Sequence, residues 1–383
     1  MPVTIGALVE RASGENRVSL VPEVAGKLSV AGARVLLERG AGIRAQFPDS
    51  LYTQVEWAAT AQEVLASSDV LLVVQPPTLE QIAALREDSV VIGFMQAHAR
   101  AAEVLALRDR HITSFAMELV PRISRAQSMD ALSSQAAIAG YKAVLIAADT
   151  LDRFMPMLTT AAGTIRPAQV LIIGVGVAGL QAIATARRLG AIVEAYDVRS
   201  ATREQVRSLG AKFVDTGVSA EGSGGYAREL TPEERARQQE VLDARIAAAD
   251  VVITTASVPG RTAPRIVSAA AVERMKAGAV IVDIAAESGG NCELTRPGQT
   301  VLHGAVKILG PVNLAAELAF HASEMYSRNL FNFLKPVLTR AAGDQPASLT
   351  IDWQDEVYDK SCLTHAGSIR HEPTRTRLTG EPS

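Results

Sequence analysis

Cysteine is nearly missing from this chain: there are two in 383 residues, Cys292 and Cys362, far apart in sequence. That excludes a disulfide framework and argues for a reducing compartment. Neither has another cysteine nearby, which argues against a zinc site, and no metal is assigned. A basic surplus is missing too. With 38 Lys and Arg against 41 Asp and Glu, the net charge of −3 excludes the positive field of a nucleic-acid binder. The first twenty residues lack an apolar signal core and carry Glu10, Arg11, Glu15 and Arg17, which argues against secretion. Charge is absent over the nineteen residues 168–186, about the length that spans a bilayer. Three glycines and two glutamines interrupt that window, and it reads better as a soluble strand, turn and helix.

What is present is an ordinary globular composition, 48% hydrophobic and 21% charged, with length enough for two domains. Short apolar runs alternate with helical patterns from the start. Strands are expected at 3–8, 33–37, 70–74, 89–94 and 113–117, with helices from Glu23, over 79–85 and over 101–110. Gly40-Ala-Gly42 superficially resembles a phosphate-binding turn, but Pro48 stops any helix that could follow, and a plain turn is expected. A strongly apolar helix over 128–151 reads as a connector. Further strands fall at 211–214, 251–255 and 279–284. Thr231-Pro-Glu-Glu234 is a well-formed helix start, with a threonine cap, proline in the first turn and a glutamate to close the capping box. Residues 311–338 read as one long amphipathic helix with Phe320, Tyr326, Phe331 and Phe333 on or near its buried side, returning to the first domain. The polar last twenty residues are expected to fray. The reading is α/β, with two Rossmann-like parallel-sheet domains. The first is discontinuous, 1–133 plus 307–383, and completed by the C-terminal helix; the second covers 134–306.

The most informative local pattern lies at 170–199. Val170 to Ile173 is a buried strand, and Gly174, Gly176 and Gly179 spell G-x-G-x-x-G ahead of an apolar helix that Gly190 stops. Gly174 makes the tight turn, Gly176 lets the backbone approach a pyrophosphate, and Gly179 lets helix and strand pack closely. The helix N-terminus offers N–H groups and the positive end of its dipole to phosphate. A second strand, Ile192 to Tyr196, ends at Asp197, where an acid can hold a ribose hydroxyl and disfavour a 2′-phosphate. Arg199 pulls the other way, since a nearby arginine is how such sites accept that phosphate. A dinucleotide site follows, with NAD favoured.

A second cluster has no such simple reading. Pro121 to Gln135 places two arginines, two glutamines, an aspartate and four serines at the domain junction. With a helix beginning near Gln127, Gln127, Asp130 and Ser133 fall on one side at i, i+3 and i+6, with Arg122 in an extended loop before them. The bland alternative is a solvated loop with helix-capping serines.

The string Arg122-Ile-Ser-Arg-Ala-Gln-Ser-Met-Asp-Ala-Leu-Ser-Ser134 closely resembles the signature of the NAD(H)-binding component, domain I, of proton-translocating nicotinamide nucleotide transhydrogenases. So do Glu15-Asn-Arg-Val18, the Gly174 fingerprint with Asp197-Val-Arg199, Gly225-Tyr226, Thr254-Thr-Ala256 and Glu287-Ser-Gly-Gly-Asn-Cys292. The resemblance spans nearly the whole chain and is similar to the arrangement in which the alpha subunit is split into two polypeptides, of which this would be the first. It implies direct hydride transfer between NADH bound here and NADP⁺ on a partner domain, coupled to proton movement through a membrane domain. It also implies a homodimer on the cytoplasmic face of the cell membrane, touching the membrane only through partner subunits. By resemblance, Arg122, Gln127, Asp130 and Ser133 line the nicotinamide end, and Tyr226 lies on a loop that closes over the nucleotide. Gly174, Gly176, Val177 and Gly179 would hold the pyrophosphate, and Asp197 and Arg199 the adenosine side. Gly225, Gln238 and Ser257 match further NAD contacts, Ser257 departing from the bulkier residue usual there.

Two rivals remain. Alanine dehydrogenases share the superfamily, but Val74 stands where they place a lysine. Ala97 stands where they place a histidine, with His98 one residue out of register. Arg17 is retained, and Glu287 matches an aspartate. A NAD-binding sensor without chemistry is the other rival.

Overall fold

The structure, a computed structural model, describes every residue except 1, 221–227, 229, 258–259, 261, 340–345 and 381–383. The chain divides into two compact units, Met1–Gln135 with Ala316–Ser383, and Ala136–Ala315. Both are Rossmann-like.

In the first unit, Glu56–Ala58, Arg34–Glu38, Thr4–Ala7, Val70–Leu72, Val90–Gly93 and Thr113–Ala116 lie side by side as a parallel sheet. Its order reverses between Thr4–Ala7 and Val70–Leu72. These strands are apolar without alternation because both faces are covered. Ile5, Leu37, Leu72, Ile92 and Phe115 pack on one side, and Leu36, Leu71, Val91 and Ala116 on the other. The tail corrects the expectation of fraying. Cys362–His365 pairs antiparallel with Thr113–Ala116, Ser368–Ile369 adds an eighth strand, and a helix follows over Glu372–Thr379. Edge strands leave backbone N–H and C=O groups open to such pairing, whatever the polarity of the added segment.

The expected helix over 311–338 is also corrected. A 3₁₀ turn at Leu314–Leu318 precedes a helix confined to Ala319–Leu334. Tyr326 and Phe333 are buried on it as expected, whereas Phe320 is 39% exposed and stacks on Phe47 with ring centroids 4.6 Å apart. The Gly40–Gly42 stretch leads only into a 3₁₀ turn, Ile43–Ala45.

The second unit's sheet runs Lys212–Phe213, Ile192–Tyr196, Gln169–Ile173, Val251–Thr254, Val280–Asp283, Val306–Leu309 and Thr300–His303, parallel except for the last strand. This is the doubly wound order, with its reversal beside Gln169–Ile173, where such sheets bind ligands. Ile173 pairs with both Tyr196 and Thr254. The residues that follow them, Gly174, Asp197 and Thr255, therefore emerge at one level on the C-terminal edge.

The helix Ala131–Thr150 is the only one among the described residues long and apolar enough to cross a membrane. Ala143, Val144 and Ala147 on it are nevertheless fully buried in the second unit's core. Gly140 lies so near the helix Val177–Arg188 that a β-carbon there would fall 2.1 Å from the Ala178 carbonyl oxygen. Both are marks of a core helix.

Candidate functional site

The glycine-rich turn has the geometry that a dinucleotide requires. Gly174 has φ +95° and its N–H donates to the Tyr196 carbonyl (2.8 Å), the conformation for which glycine is needed. A β-carbon on Gly179 would sit 1.9 Å from the Gly174 carbonyl oxygen, so only glycine lets the helix start this close to the strand. At Gly176 the space is open, with nothing within 4 Å of where a β-carbon would be. Gly176 precedes the helix Val177–Arg188, and the first N–H groups of that helix have no intrahelical acceptor. Val177 and Gly176 face solvent, so an anion can reach those donors.

Asp197 and Arg199 are brought together rather than left apart. Asp197 is buried; its Oδ2 accepts from Val175 N (2.8 Å) and Arg199 Nη2 (2.7 Å). Its Oδ1 accepts from Arg199 N and Nε, both at 2.8 Å. The acid thus braces the glycine-rich turn, and the arginine neutralises it. Thr255 Oγ1 donates to the Gly174 carbonyl (3.0 Å) and holds the turn from the other side. Gln238 is buried on the helix Pro232–Ala248, whose capping box forms as expected. Ser257 is exposed. Gly225 and Tyr226 lie outside the described residues. Sequence reasoning missed two buried anchors. Asn291 holds Ala256 through both its N–H and carbonyl, and Asp283 accepts from Thr254 Oγ1, Ala285 N, Cys292 N and Thr295 Oγ1. The first lay inside the Glu287–Cys292 string and could have been suspected.

In the first unit the expected one-sided array is corrected. Residues Ser124–Met129 form a 3₁₀ turn, the backbone breaks at Asp130, and the helix begins only at Ala131. Gln127 and Ser133 are therefore on separate pieces of backbone. Asp130 caps the helix: its carboxylate accepts from Ser133 N (2.9 Å) and Ser133 Oγ (2.6 Å). A side chain that bonds its own backbone three residues on competes with continued helix, which is why the break falls there. Ala126 and Met129 are buried and Arg125 pairs with Asp355, so the turn is pinned while Arg122 and Gln127 are exposed.

Behind this segment lies a buried polar cluster that the sequence did not announce. Glu15 is wholly buried, accepting from Arg17 N, Nε and Nη2 and from Gln75 Nε2. Burial alone would raise the Glu15 pKa, but the hydrogen bonds and charge of Arg17 outweigh it and hold the carboxyl below its usual range. Glu10 accepts from the backbone N–H of Val74 and Gln75. Burial pushes it up to about 7, the charge of Glu15 adding to the effect while the hydrogen bonds and Arg17 oppose it. Val74, at the position where an alanine dehydrogenase would carry lysine, is buried and apolar; His98 is exposed.

Comparison with known proteins agrees with this geometry. The family profile described as alanine dehydrogenase/PNT, N-terminal domain, matches residues 6–139, and that for the C-terminal domain matches 143–372. In Rhodospirillum rubrum, the first polypeptide of a divided NAD(P) transhydrogenase subunit alpha is 44% identical over 97% of this chain and 98% of its own length. The alanine dehydrogenase of Mycobacterium tuberculosis is 31% identical over 76% of this chain and 75% of its own. A crystal structure of transhydrogenase from Sinorhizobium meliloti superposes with a TM-score of 0.86 at 41% identity, covering 96% of this chain and 99% of that one. With both halves matched and near end-to-end identity above two in five, the chain belongs to the alanine dehydrogenase/PNT family.

Proposed function

We propose that this chain is the NAD(H)-binding component of a proton-translocating transhydrogenase, passing hydride directly between NADH held here and NADP⁺ held by a partner domain. The observation that carries the reading is the end-to-end correspondence with a transhydrogenase alpha subunit. NADH supplies the hydride. The protein's own work is to bind, aim and exclude water, because transfer between two nicotinamides calls for rings about 3–3.5 Å apart in a dry site. The open helix N-terminus at Gly176 and Val177 suits the pyrophosphate, and Asp197, braced by Arg199, suits the adenosine ribose. Gln238, Ser257, Gly225 and Tyr226 complete the nucleotide's surroundings in this reading. Arg122, Gln127, Asp130 and Ser133 meet the nicotinamide. Gln127, on a pinned turn and exposed, is the side chain free to reach toward a second ring. Ser133 and Asp130 offer hydroxyl and carboxylate groups already oriented by each other.

The partners in this reading are the NADP(H)-binding and membrane domains of one complex, with the chain on the cytoplasmic face. A second copy of the chain is the remaining partner. The hairpin Leu158–Thr160 with Gly163–Ile165 is almost wholly exposed and is flanked by Phe154, Met157 and Ile165, exposed at 51%, 64% and 46%. Apolar side chains left in water on an arm of this kind favour self-association.

The test is reconstitution with an NADP(H)-binding component, following hydride from NADH to a thio- or acetylpyridine analogue. Transfer that requires the partner supports the reading; reduction of NAD⁺ that requires alanine instead would make the chain an amino-acid dehydrogenase, and neither activity a sensor. Within that assay Gln127→Asn should slow transfer by about two orders of magnitude with little change in NADH affinity, since its reach is shortened and its polarity kept. Binding and transfer falling together would end the bridging role.

A further inference from the structure

The turn that carries Gln127 and the helix that carries Ser133 are separated by the break at Asp130, yet one distant side chain holds both. Asn329, on the helix Ala319–Leu334 and buried, accepts from Ser134 Oγ through its Oδ1 (2.7 Å). Its Nδ2 donates to the Ser128 carbonyl oxygen (2.9 Å), which also accepts from Asn332 Nδ2 (3.1 Å). One residue beyond Ser134, Gln135 donates to the Ala322 carbonyl (3.1 Å) and accepts from Arg17 Nη1 (2.9 Å). The helix beneath is itself fixed. Ser323 and Ser327 accept from Val18 N and Val21 N, and the Tyr326 hydroxyl donates to the Val73 carbonyl.

We propose that Asn329 is a positioning residue for hydride transfer: by gripping Ser128 and Ser134 at once, it sets the turn of Gln127 against the Asp130–Ser133 pair. This rests on the reading above, in which those residues meet the nicotinamide. The chemistry demands an amide. The Ser128 carbonyl needs a donor and the Ser134 hydroxyl needs an acceptor, and an asparagine side chain carries one of each in a fixed plane. A carboxylate at 329 would keep the bond to Ser134 and set an acceptor against the Ser128 carbonyl, pushing the turn away. A displacement of about 1 Å, small for folding, is large for a reaction that depends on ring separation.

Asn329→Asp and Ser134→Ala are made in the full chain and assayed with an NADP(H)-binding component, NADH and thio-NADP⁺. Asn329→Asp should cut the first-order rate of transfer about 10- to 100-fold, and Ser134→Ala by a smaller factor of about 3 to 10, because the Ser128 bond survives. The NADH dissociation constant should stay within about twofold in both, since the nucleotide's phosphates are held elsewhere. That split between rate and affinity is what a merely structural role would not produce. Should Asn329→Asp fail to fold, Ser134→Ala decides. Wild-type rates in the folded variants, or affinity falling in step with rate, overturn the proposal. Gln127→Asn run alongside separates the two levels. A fast Gln127→Asn means that the nicotinamide reading has failed, whereas a slow one beside fast Asn329→Asp and Ser134→Ala condemns the positioning role alone.

Discussion

Gly140 stands in the middle of a 20-residue helix, where alanine is the better helix former by about 1 kcal/mol. On propensity alone Gly140→Ala should stabilise the protein. The tertiary contact reverses the sign. The new β-carbon would lie 2.1 Å from the Ala178 carbonyl oxygen and 2.8 Å from its carbonyl carbon, where carbon and oxygen sit at about 3.3 Å or more. Both sides of the contact are helix backbone, so neither can swing aside; relief takes a shift of about 1 Å of one helix against the other. Overpacking costs about 1–3 kcal/mol, and backbone against backbone belongs at the upper end. The net loss is about 1–2 kcal/mol, a fall of about 3–6 °C in the midpoint of thermal unfolding. Ala178 is also the second residue of the helix whose N-terminus is proposed to meet pyrophosphate. Losing one charge-assisted hydrogen bond there, about 1.5–3 kcal/mol, should weaken NADH binding about 10- to 100-fold. Calorimetry and titration of NADH fluorescence measure both effects. A raised midpoint with an unchanged dissociation constant would refute the reasoning, because it would mean that the helices separate at no cost.

Other perturbations follow from the same contacts. Asp197→Asn leaves the partly buried Arg199 without its anion and should cost about 2 kcal/mol of stability and about tenfold in NADH affinity; unchanged values would remove Asp197 from the brace of the turn. Glu10 is held near 7, above the 4.5 of an exposed glutamic acid, so the folded state binds its proton more tightly than the unfolded chain does. Its contribution is fully present below pH 4.5 and is lost as pH rises through 7, amounting to about 3 kcal/mol in all. Urea titrations from pH 5 to 8 should show that slope, and Glu10→Gln should flatten it; an equally steep slope in the variant would assign it elsewhere. Met157→Asp on the exposed hairpin should shift the chain toward monomer in light scattering, and a dimer of undiminished stability would exclude that arm from the interface.

The strands at 170–173, 251–254 and 280–283 were legible because a strand covered on both faces is apolar at every position, and that pattern needs no partner to be recognised. The glycine-rich turn and the capping box at Thr231 were legible for a similar reason. What they require, a positive φ or a nearby N–H, is settled within a few residues. The break at Asp130 was not legible, since the apolar pattern runs through it and Ser128 and Asp130 are both good caps. Burial of Ala126 and Met129 decided it, with the grip on Ser128 of Asn329, 201 residues away. Glu10, Glu15 and Arg17 read as ordinary charges near a terminus until the strand ends converged over them, and the polar tail read as frayed until an open sheet edge took it up. Backbone chemistry that closes within one turn travels with the local sequence. A hydrogen bond or burial whose partner lies a hundred residues off leaves no local mark, and only the folded chain brings the two together.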